Sequence, residues 1–135
     1  MSRTTIRSIT VEPLNIPLRE PFTIATGSVS EARNVLITLT LEDGTIGYGE
    51  CAPLPPSTGE SQETALAAAR GCAALIEGKD AASWRILSKL IHSVYFSQAT
   101  ARAGMEMARN TSIQRILPLS QIGWLSQGNA RCLFG

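Results

Sequence analysis

The stretch "NVLITLTLEDGTIGYGE", residues 34–50, carries the pattern of a β-hairpin and is the clearest structural signal in the chain. Four apolar residues fall at every second position of its first half: Val35, Ile37, Leu39 and Leu41. Successive side chains of a strand point to opposite faces, so these four share one face. Asp43-Gly44 is strong turn chemistry between two strands. In the second strand, Gly47 and Gly49 predict a close approach of another part of the backbone.

A strand that contains prolines is predicted before the hairpin. Residues 6–18, "IRSITVEPLNIPL", include Pro13 and Pro17. Each proline removes a hydrogen-bond donor from the ladder, which favours an edge position. Residues 19–33 are predicted to form a long loop that includes Pro21. Long ordered loops in compact domains are often functional.

Three helices are predicted after the hairpin. Ser61 is typical of an N-cap, and an apolar stripe with helical spacing runs from it to Ile76, before the stop signal Gly78. A second helix is predicted over residues 81–95, and a third begins near Ser97. One face of the second helix carries four apolar residues: Trp84, Leu87, Ile91 and Val94. Strands followed by helices predict an α+β fold, with a three-stranded antiparallel sheet followed by a helical bundle.

Length and composition exclude several classes of protein. The chain has 135 residues, 44% of them hydrophobic, which suits one globular domain with a modest core. A net charge of +1 gives no electrostatic basis for binding nucleic acid. No apolar run approaches the roughly 20 residues that span a bilayer, and the N-terminus lacks the apolar stretch of a signal peptide. We therefore expect a cytoplasmic protein with no membrane or nucleic-acid partner.

The residues that most often carry chemistry are few. Three widely spaced cysteines without a CxxC pair predict free thiols: Cys51, Cys72 and Cys132. The one histidine, His92, falls on the polar side of its helix, which predicts a surface position. Glu50 has no carboxylate or histidine partner at a useful spacing, so a structural role is favoured over general acid catalysis. Glu60 is predicted to be a solvated loop charge. Taken alone, the residues predict no catalytic group and no metal site.

Three segments together resemble a known family. They are "PLNIPLREPFTIATGS", residues 13–28, "ARNVLITLTLEDGTIGYGECAPLPPSTGES", residues 32–61, and "ATARAGMEMA", residues 99–108. In this order they resemble the N-terminal capping domain of the enolase superfamily, of the muconate-lactonising and mandelate-racemase type. The pattern "GYGECAP…TGES" is most similar to dipeptide epimerases such as Ala-Glu epimerases. The resemblance covers roughly residues 4–108.

The resemblance implies a division of labour between the capping domain and a barrel that follows it in the family. The barrel carries lysine acid/base groups and three carboxylates that hold Mg²⁺, and the metal stabilises an enolate formed next to a carboxylate. The capping domain supplies two substrate lids. By resemblance, the lid positions of this chain are Phe22, Ile24, Thr26, Pro56, Thr58 and Gly59. Glu50 is then a structural anchor, and no catalytic residue, metal ligand or cofactor is expected in this chain.

Residues 109–135, "RNTSIQRILPLSQIGWLSQGNARCLFG", depart from the family pattern. They contain no acidic residue and no lysine-x-lysine strand end, and we expect an atypical tail from a frameshifted or truncated gene. A complete barrel takes about 250 residues. The first hypothesis is therefore a truncated capping domain, residues 1–108, of an epimerase or other isomerase, catalytically silent alone.

Two alternatives stay open beside this hypothesis. One is a binding module that self-associates through the surface that faces the barrel in the family. The other is a lid that acts in trans with a separately encoded barrel. We expect a homo-oligomer, because large uncovered apolar surfaces usually mark interfaces and a symmetric dimer is the commonest closed solution.

Overall fold

The computed structural model of the chain describes residues 3–24, 27–53, 59–95 and 97–116. Its three strands form one antiparallel sheet in the order β1-β2-β3, and three helices follow. The elements are β1 (Ile6–Ile24), β2 (Gly27–Leu41), β3 (Ile46–Cys51), α1 (Gln62–Ile76), α2 (Trp84–Val94) and α3 (Ala99–Ile116). The predicted α+β fold, with a three-stranded antiparallel sheet followed by helices, is confirmed. None of the described helices is long and apolar enough to cross a membrane.

The hairpin of β2 and β3 forms where the alternation predicts it. Four side chains of β2 are fully buried: Val35, Ile37, Leu39 and Leu41. In the turn, the amide of Gly44 donates to the carbonyl oxygen of Leu41 over 2.9 Å, and Gly44 has a φ of 90°, which favours glycine. Hydrogen bonds from the side chain and the backbone amide of Thr45 lower the pKa of the Asp43 carboxyl. The turn residues therefore stabilise the connection as well as permitting it.

The predicted loop over residues 19–33 is wrong, because the strands on either side of it continue through most of it. Phe22 in β1 pairs with Val29 in β2, for example. β1 lies at the edge of the sheet, where a proline nitrogen can face away from the neighbouring strand. Proline therefore interrupts the pairing without ending it: the register shifts between Pro17 and Phe22, in addition to an earlier shift between Ile6 and Ser8.

β1 and β2 continue past the end of β3 as a two-stranded ribbon, defined as residues 14–24 and 27–34. β3 ends at Cys51, which pairs with Val35. At about 3.3 Å per residue, the part of β2 that precedes Val35 spans roughly 26 Å. Most described side chains of the ribbon are exposed. They include two large apolar ones: Ile16 and Leu18. The ribbon therefore stands out from the sheet and adds little to the core.

α1 begins at the predicted N-cap and ends at the predicted stop. The hydroxyl of Ser61 accepts a hydrogen bond from the amide of Thr64 over 3.2 Å, and the hydroxyl of Thr64 accepts one from the amide of Ser61 over 2.9 Å. This reciprocal pair is a capping box. After the helix, Gly78 has a φ of 82° and donates its amide to the carbonyl oxygen of Ile6 over 2.9 Å. The end of α1 is thereby joined to the start of β1.

The four apolar residues assigned to one face of α2 differ in burial. Leu87 and Ile91 are buried in the core, whereas Trp84 and Val94 are each 51% exposed. The exposed pair are the first and last residues of the helix. Only the middle of the apolar face therefore packs on the core, and both ends of the helix pass beyond it.

α3 packs against β3 with backbone in contact with backbone. A Cβ atom on Gly49 would lie 2.0 Å from the carbonyl oxygen of Gly104, and one on Gly47 would lie 2.2 Å from that of Ala108. The predicted close approach at both glycines of β3 is confirmed. Ser112 continues the same contact and is fully buried. The helix therefore covers β3 along most of its length.

α3 also continues without a break past residue 108. Ile113 belongs to the buried core, and Nε of Arg109 donates to the carbonyl oxygen of Ala81 over 2.7 Å. Burial lowers the pKa of the Arg109 guanidinium to about 10. The predicted division into residues 1–108 and 109–135 therefore falls inside a helix, and it stays a prediction.

Candidate functional site

The two predicted lid segments leave the sheet at the same end. Phe22 and Ile24 lie on β1, near the far end of the ribbon. The chain leaves β3 after Cys51, at the level of Val35 where the ribbon begins. In the segment that follows, Gly59 is exposed and has a φ of 72°. Three predicted lid residues lie outside the described residues: Thr26, Pro56 and Thr58.

Four consecutive residues, Glu60, Ser61, Gln62 and Glu63, join the end of this second segment to the rest of the domain. They are called the junction below. Ser61 caps α1, Glu60 bonds to α3, and Gln62 and Glu63 both bond to the ribbon. The junction therefore connects the start of α1 with both the helical layer and the ribbon.

Glu60 joins the junction to the start of α3. Its side chain is buried, and Oε2 accepts hydrogen bonds from the hydroxyl and the amide of Thr100, the amide at 3.2 Å. The first amides of a helix lack partners within it, and a carboxylate there is favoured by the helix dipole. The prediction of a solvated Glu60 is wrong, because α3, distant in sequence, supplies donors that no local pattern reveals.

Gln62 joins the junction to the ribbon. The residue is 7% exposed, and Nε2 donates to Oδ1 of Asn15 over 2.6 Å and to the carbonyl oxygen of Asn34 over 2.9 Å. Asn15 lies in β1 and Asn34 in β2, both at the base of the ribbon. Sequence reasoning missed this residue, since the local pattern marks it only as the first residue of a helix.

Glu50 lies at the end of β3 beside the same group. It is exposed, and its Oε1 accepts a hydrogen bond of 2.5 Å from Nδ2 of Asn34. Asn34 therefore bonds to Glu50 through its side chain and to Gln62 through its backbone. This arrangement supports the structural role predicted for Glu50, which stays a prediction.

Glu63 contributes a surface contact to the ribbon. Its Oε1 lies 3.0 Å from NH2 of Arg33, and both side chains are mostly exposed. A hydrogen bond to its own backbone amide, together with the charge of Arg33, lowers the pKa of Glu63. Exposed ion pairs of this kind contribute little to stability, so Gln62 rather than Glu63 carries the buried connection.

The thiols and the histidine do not form a nucleophilic site in the described residues. Cys51 and Cys72 are free, as predicted, and buried. Burial raises the pKa of Cys51 to about 12 and that of Cys72 to about 11, so both stay protonated and unreactive near neutral pH. His92 is exposed, as predicted, with Nδ1 2.9 Å from the guanidinium of Arg102. Cys132 lies outside the described residues.

The carboxylates beside the predicted lid segments bond to other parts of the fold. Within residues 3–24, 27–53, 59–95 and 97–116, no three His, Cys, Asp or Glu side chains are grouped so that they could hold a metal ion. Glu60 bonds to the start of α3 and Glu50 bonds to an amide. Within the junction, Glu60 and Gln62 hold the start of α1 against α3 and the ribbon.

Curated relatives of the chain are epimerases. The aromatic dipeptide epimerase of Herpetosiphon aurantiacus is 41% identical over 112 residues, which cover 83% of this chain and 32% of that protein. The L-Ala-D/L-amino acid epimerase of Populus trichocarpa is 37% identical over 98 residues, which cover 71% of this chain and 23% of that protein. The chain thus spans a third or less of the length of these relatives.

Solved structures share the fold, and they confirm the resemblance to the enolase superfamily. A mandelate racemase/muconate lactonizing protein from Herpetosiphon aurantiacus matches 86% of this chain and 32% of its own, with a TM-score of 0.80 and 40% identity. A dipeptide epimerase from Cytophaga hutchinsonii, complexed with Mg and the dipeptide D-Ala-L-Val, matches 78% and 29%, with a TM-score of 0.76 and 26% identity. Because residues 6–115 match the family described as mandelate racemase / muconate lactonizing enzyme, N-terminal domain, the chain belongs to that family.

Proposed function

We propose that this chain is the N-terminal capping domain of an epimerase or racemase that acts on dipeptides or N-acylated amino acids. The family and the relatives support this, and they include an N-succinyl-L-Arg/Lys racemase from Bacillus cereus at 29% identity. Both substrate classes carry a stereocentre next to a carbonyl group. Their shared chemistry is the removal and return of the proton on that carbon.

The observation that carries the proposal is the junction, which supports both predicted lid segments at one end of the sheet. Gln62 bonds to the base of the ribbon, and Glu60 fixes the end of the segment after β3. We propose that these two segments cover the substrate and select its side chain. The residues proposed to do so are Phe22, Ile24, Thr26, Pro56, Thr58 and Gly59.

We also propose that the chain is catalytically silent by itself. Removing an α-proton requires a base and a means to stabilise the negative charge that develops. Mg²⁺ supplies such stabilisation in enzymes that hold it. Within the described residues, no group of side chains could serve as its ligands. The proposed role of this chain is to bind and cover the substrate.

A domain exchange tests the proposal. Residues 6–115 would replace the matching region of the Herpetosiphon aurantiacus aromatic dipeptide epimerase, and epimerisation of a panel of dipeptides would be measured. We expect an active chimera with a changed order of preference among the dipeptides. A matched chimera with Phe22→Ala and Ile24→Ala should shift that order again. A folded chimera that epimerises no dipeptide would contradict the proposal.

Self-association is a second candidate function, favoured by exposed apolar side chains in two places. Ile16 and Leu18 lie on the ribbon, and Ile86 on α2 is 67% exposed. Contiguous apolar surface usually marks an interface. We propose a homo-oligomer on this basis.

A lid that acts in trans predicts a different result, namely that adding the chain to a separate barrel domain restores epimerisation.

We place the protein in the cytoplasm. The buried free thiols Cys51 and Cys72 suit a reducing compartment, where disulfides rarely persist. Fractionation of cells that express the chain from its own gene, followed by immunoblotting, tests this. Recovery in an oxidising compartment would contradict it.

A further inference from the structure

We infer that Gln62 is the positioning residue of the ribbon, and that its buried side-chain amide holds the base of the ribbon against α1. The inference deepens the proposed function and rests on it in one respect, which is that the ribbon faces the substrate. The physical link between Gln62 and the ribbon is a separate matter, and it can be tested on the chain itself.

The side-chain amide of Gln62 donates hydrogen bonds to both strands of the ribbon. Nε2 of Gln62 has two protons, and its two acceptors are Oδ1 of Asn15 at 2.6 Å and the carbonyl oxygen of Asn34 at 2.9 Å. Asn15 is in β1 and Asn34 is in β2. Asn34 pairs with Leu14, the immediate neighbour of Asn15. The amide therefore bridges the two strands of the ribbon at its base.

The position of this bridge matters because of where β3 stops. The last pair of β2 with β3 is Val35 with Cys51, and Asn34 lies one residue beyond it. A two-stranded hairpin alone is marginally stable in water and gains stability from a third element. At Asn34 the third element is α1, through Gln62. Loss of the bridge would thus free the ribbon while leaving the three-stranded sheet intact.

Because Gln62 is buried, loss of either hydrogen bond of the bridge should be costly. Gln62 is 7% exposed, so water cannot readily replace the acceptors of Nε2, and a buried polar group without its partner is unfavourable. The neighbouring ion pair of Glu63 with Arg33 is solvated and should hold the ribbon only weakly. Gln62 and Glu63 are therefore neighbours that both contact the ribbon but differ in burial, which makes Glu63 a suitable control.

The experiment is hydrogen exchange of backbone amides by NMR on the full chain and three variants. Gln62→Glu keeps the shape of the side chain and suits the first turn of a helix, but it has no side-chain proton to donate at neutral pH. Asn15→Asp keeps the acceptor that Nε2 requires. Glu63→Gln is the matched control.

We expect Gln62→Glu to speed exchange of the protected ribbon amides by about fivefold to thirtyfold, with the core amides of Ile37 and Leu39 unchanged. Asn15→Asp and Glu63→Gln should leave the ribbon close to the unmodified chain. Retention of protection in Asn15→Asp is expected because aspartate keeps an oxygen that can accept the hydrogen bond from Nε2.

Three results would overturn the inference. They are an unchanged ribbon in Gln62→Glu, an equal rise in ribbon and core, and a ribbon without protection in the unmodified chain. None of these depends on catalysis. A chimera that fails to epimerise dipeptides, together with a ribbon released by Gln62→Glu, would refute the proposed function and leave the positioning role standing.

Discussion

The hydroxyl of Thr111 donates a hydrogen bond of 3.0 Å to the carbonyl oxygen of Tyr48. Two residues earlier in β3, the carbonyl oxygen of Ile46 accepts a hydrogen bond of 2.7 Å from the guanidinium of Arg115. β3 is an edge strand, and the free carbonyls of edge strands are templates for pairing with another chain. α3 thus covers part of this edge with its own side chains, and association between copies should use other surfaces.

We therefore expect the chain to self-associate through exposed apolar side chains. Analytical ultracentrifugation at micromolar concentration should show a species heavier than the 14.4 kDa chain. Replacing Ile16 and Leu18 by threonine should weaken the association, because it removes apolar surface from the ribbon. Thr10→Ser, on an exposed part of the sheet, is the control. A single species of monomer mass at all concentrations would contradict the prediction.

Gly49→Ala should destabilise the domain strongly. The added methyl would lie 2.0 Å from a backbone carbonyl oxygen of α3, and backbone cannot move aside as a flexible side chain can. Overpacking of a tight contact lowers the free energy of unfolding by about 1–3 kcal/mol or more. Urea unfolding measures this loss. Gly44→Asn, in open space and at a φ that asparagine tolerates, should change the free energy far less.

Glu60→Gln should lower the free energy of unfolding by about 1–3 kcal/mol, since it removes the charge that strengthens a buried hydrogen bond at the start of α3. Thermal unfolding followed by circular dichroism would detect the loss. The neighbouring Glu63→Gln is the control, and we expect a change within about 0.5 kcal/mol at this exposed site. Equal effects of the two substitutions would contradict the importance of burial at Glu60.

Stability should fall at high pH because of Cys51. Burial raises the pKa of its thiol from 9.0 to about 12, so between these values the unfolded chain releases this proton and the native chain keeps it. Unfolding is then favoured as pH rises, by up to about 1.4 kcal/mol per pH unit. Urea unfolding of the unmodified chain and Cys51→Ala at pH 8, 9 and 10.5 isolates this contribution. A constant difference between the two proteins across that range would contradict the prediction.

The purified chain should not exchange the α-proton of a dipeptide in D₂O, with or without Mg²⁺. The described residues hold no metal-ligand group, and two of their carboxylates, those of Glu50 and Glu60, are hydrogen-bonded to other parts of the fold. Proton NMR of Ala-Glu and of an aromatic dipeptide follows the exchange, with a full-length epimerase as the positive control. Magnesium-dependent exchange that disappears on substitution of a residue in this chain would refute the silence proposed for it.

The sequence predicts the parts of the fold that rest on local patterns. Alternation over residues 34–41, the turn at Asp43-Gly44 and the N-cap at Ser61 are each specified by residues within a few positions of one another. The glycines of β3 also predicted a close approach of another backbone segment, although that segment, α3, lies more than fifty positions later in the chain. The prediction of a loop over residues 19–33 was wrong because β1 and β2 pair along the ribbon, although proline usually ends a strand.

The candidate site was harder to predict because its contacts join distant residues. Glu60 and Gln62 are ordinary polar residues beside a helix start, where solvent exposure is the usual outcome. Their burial depends on Thr100 in one case and on Asn15 and Asn34 in the other. The periodicity of a single sequence does not predict contacts between residues so far apart in the chain. The structural role predicted for Glu50 stays a prediction, and its hydrogen bond with Asn34 was not predicted.

The glycine-lined side of β3 bears on the order in which the domain can fold during synthesis. Gly47 and Gly49 offer no side chains to cover that side of the strand, and α3 supplies the cover as far as Ser112. A ribosome adds roughly 5–20 residues each second, and domains generally fold as units. A nascent chain that has emerged only through α1 thus has its hairpin but not the cover of β3. The glycine-lined side of β3 is covered only when residue 112 has left the exit tunnel, so α3 is the last of the described elements to complete the fold.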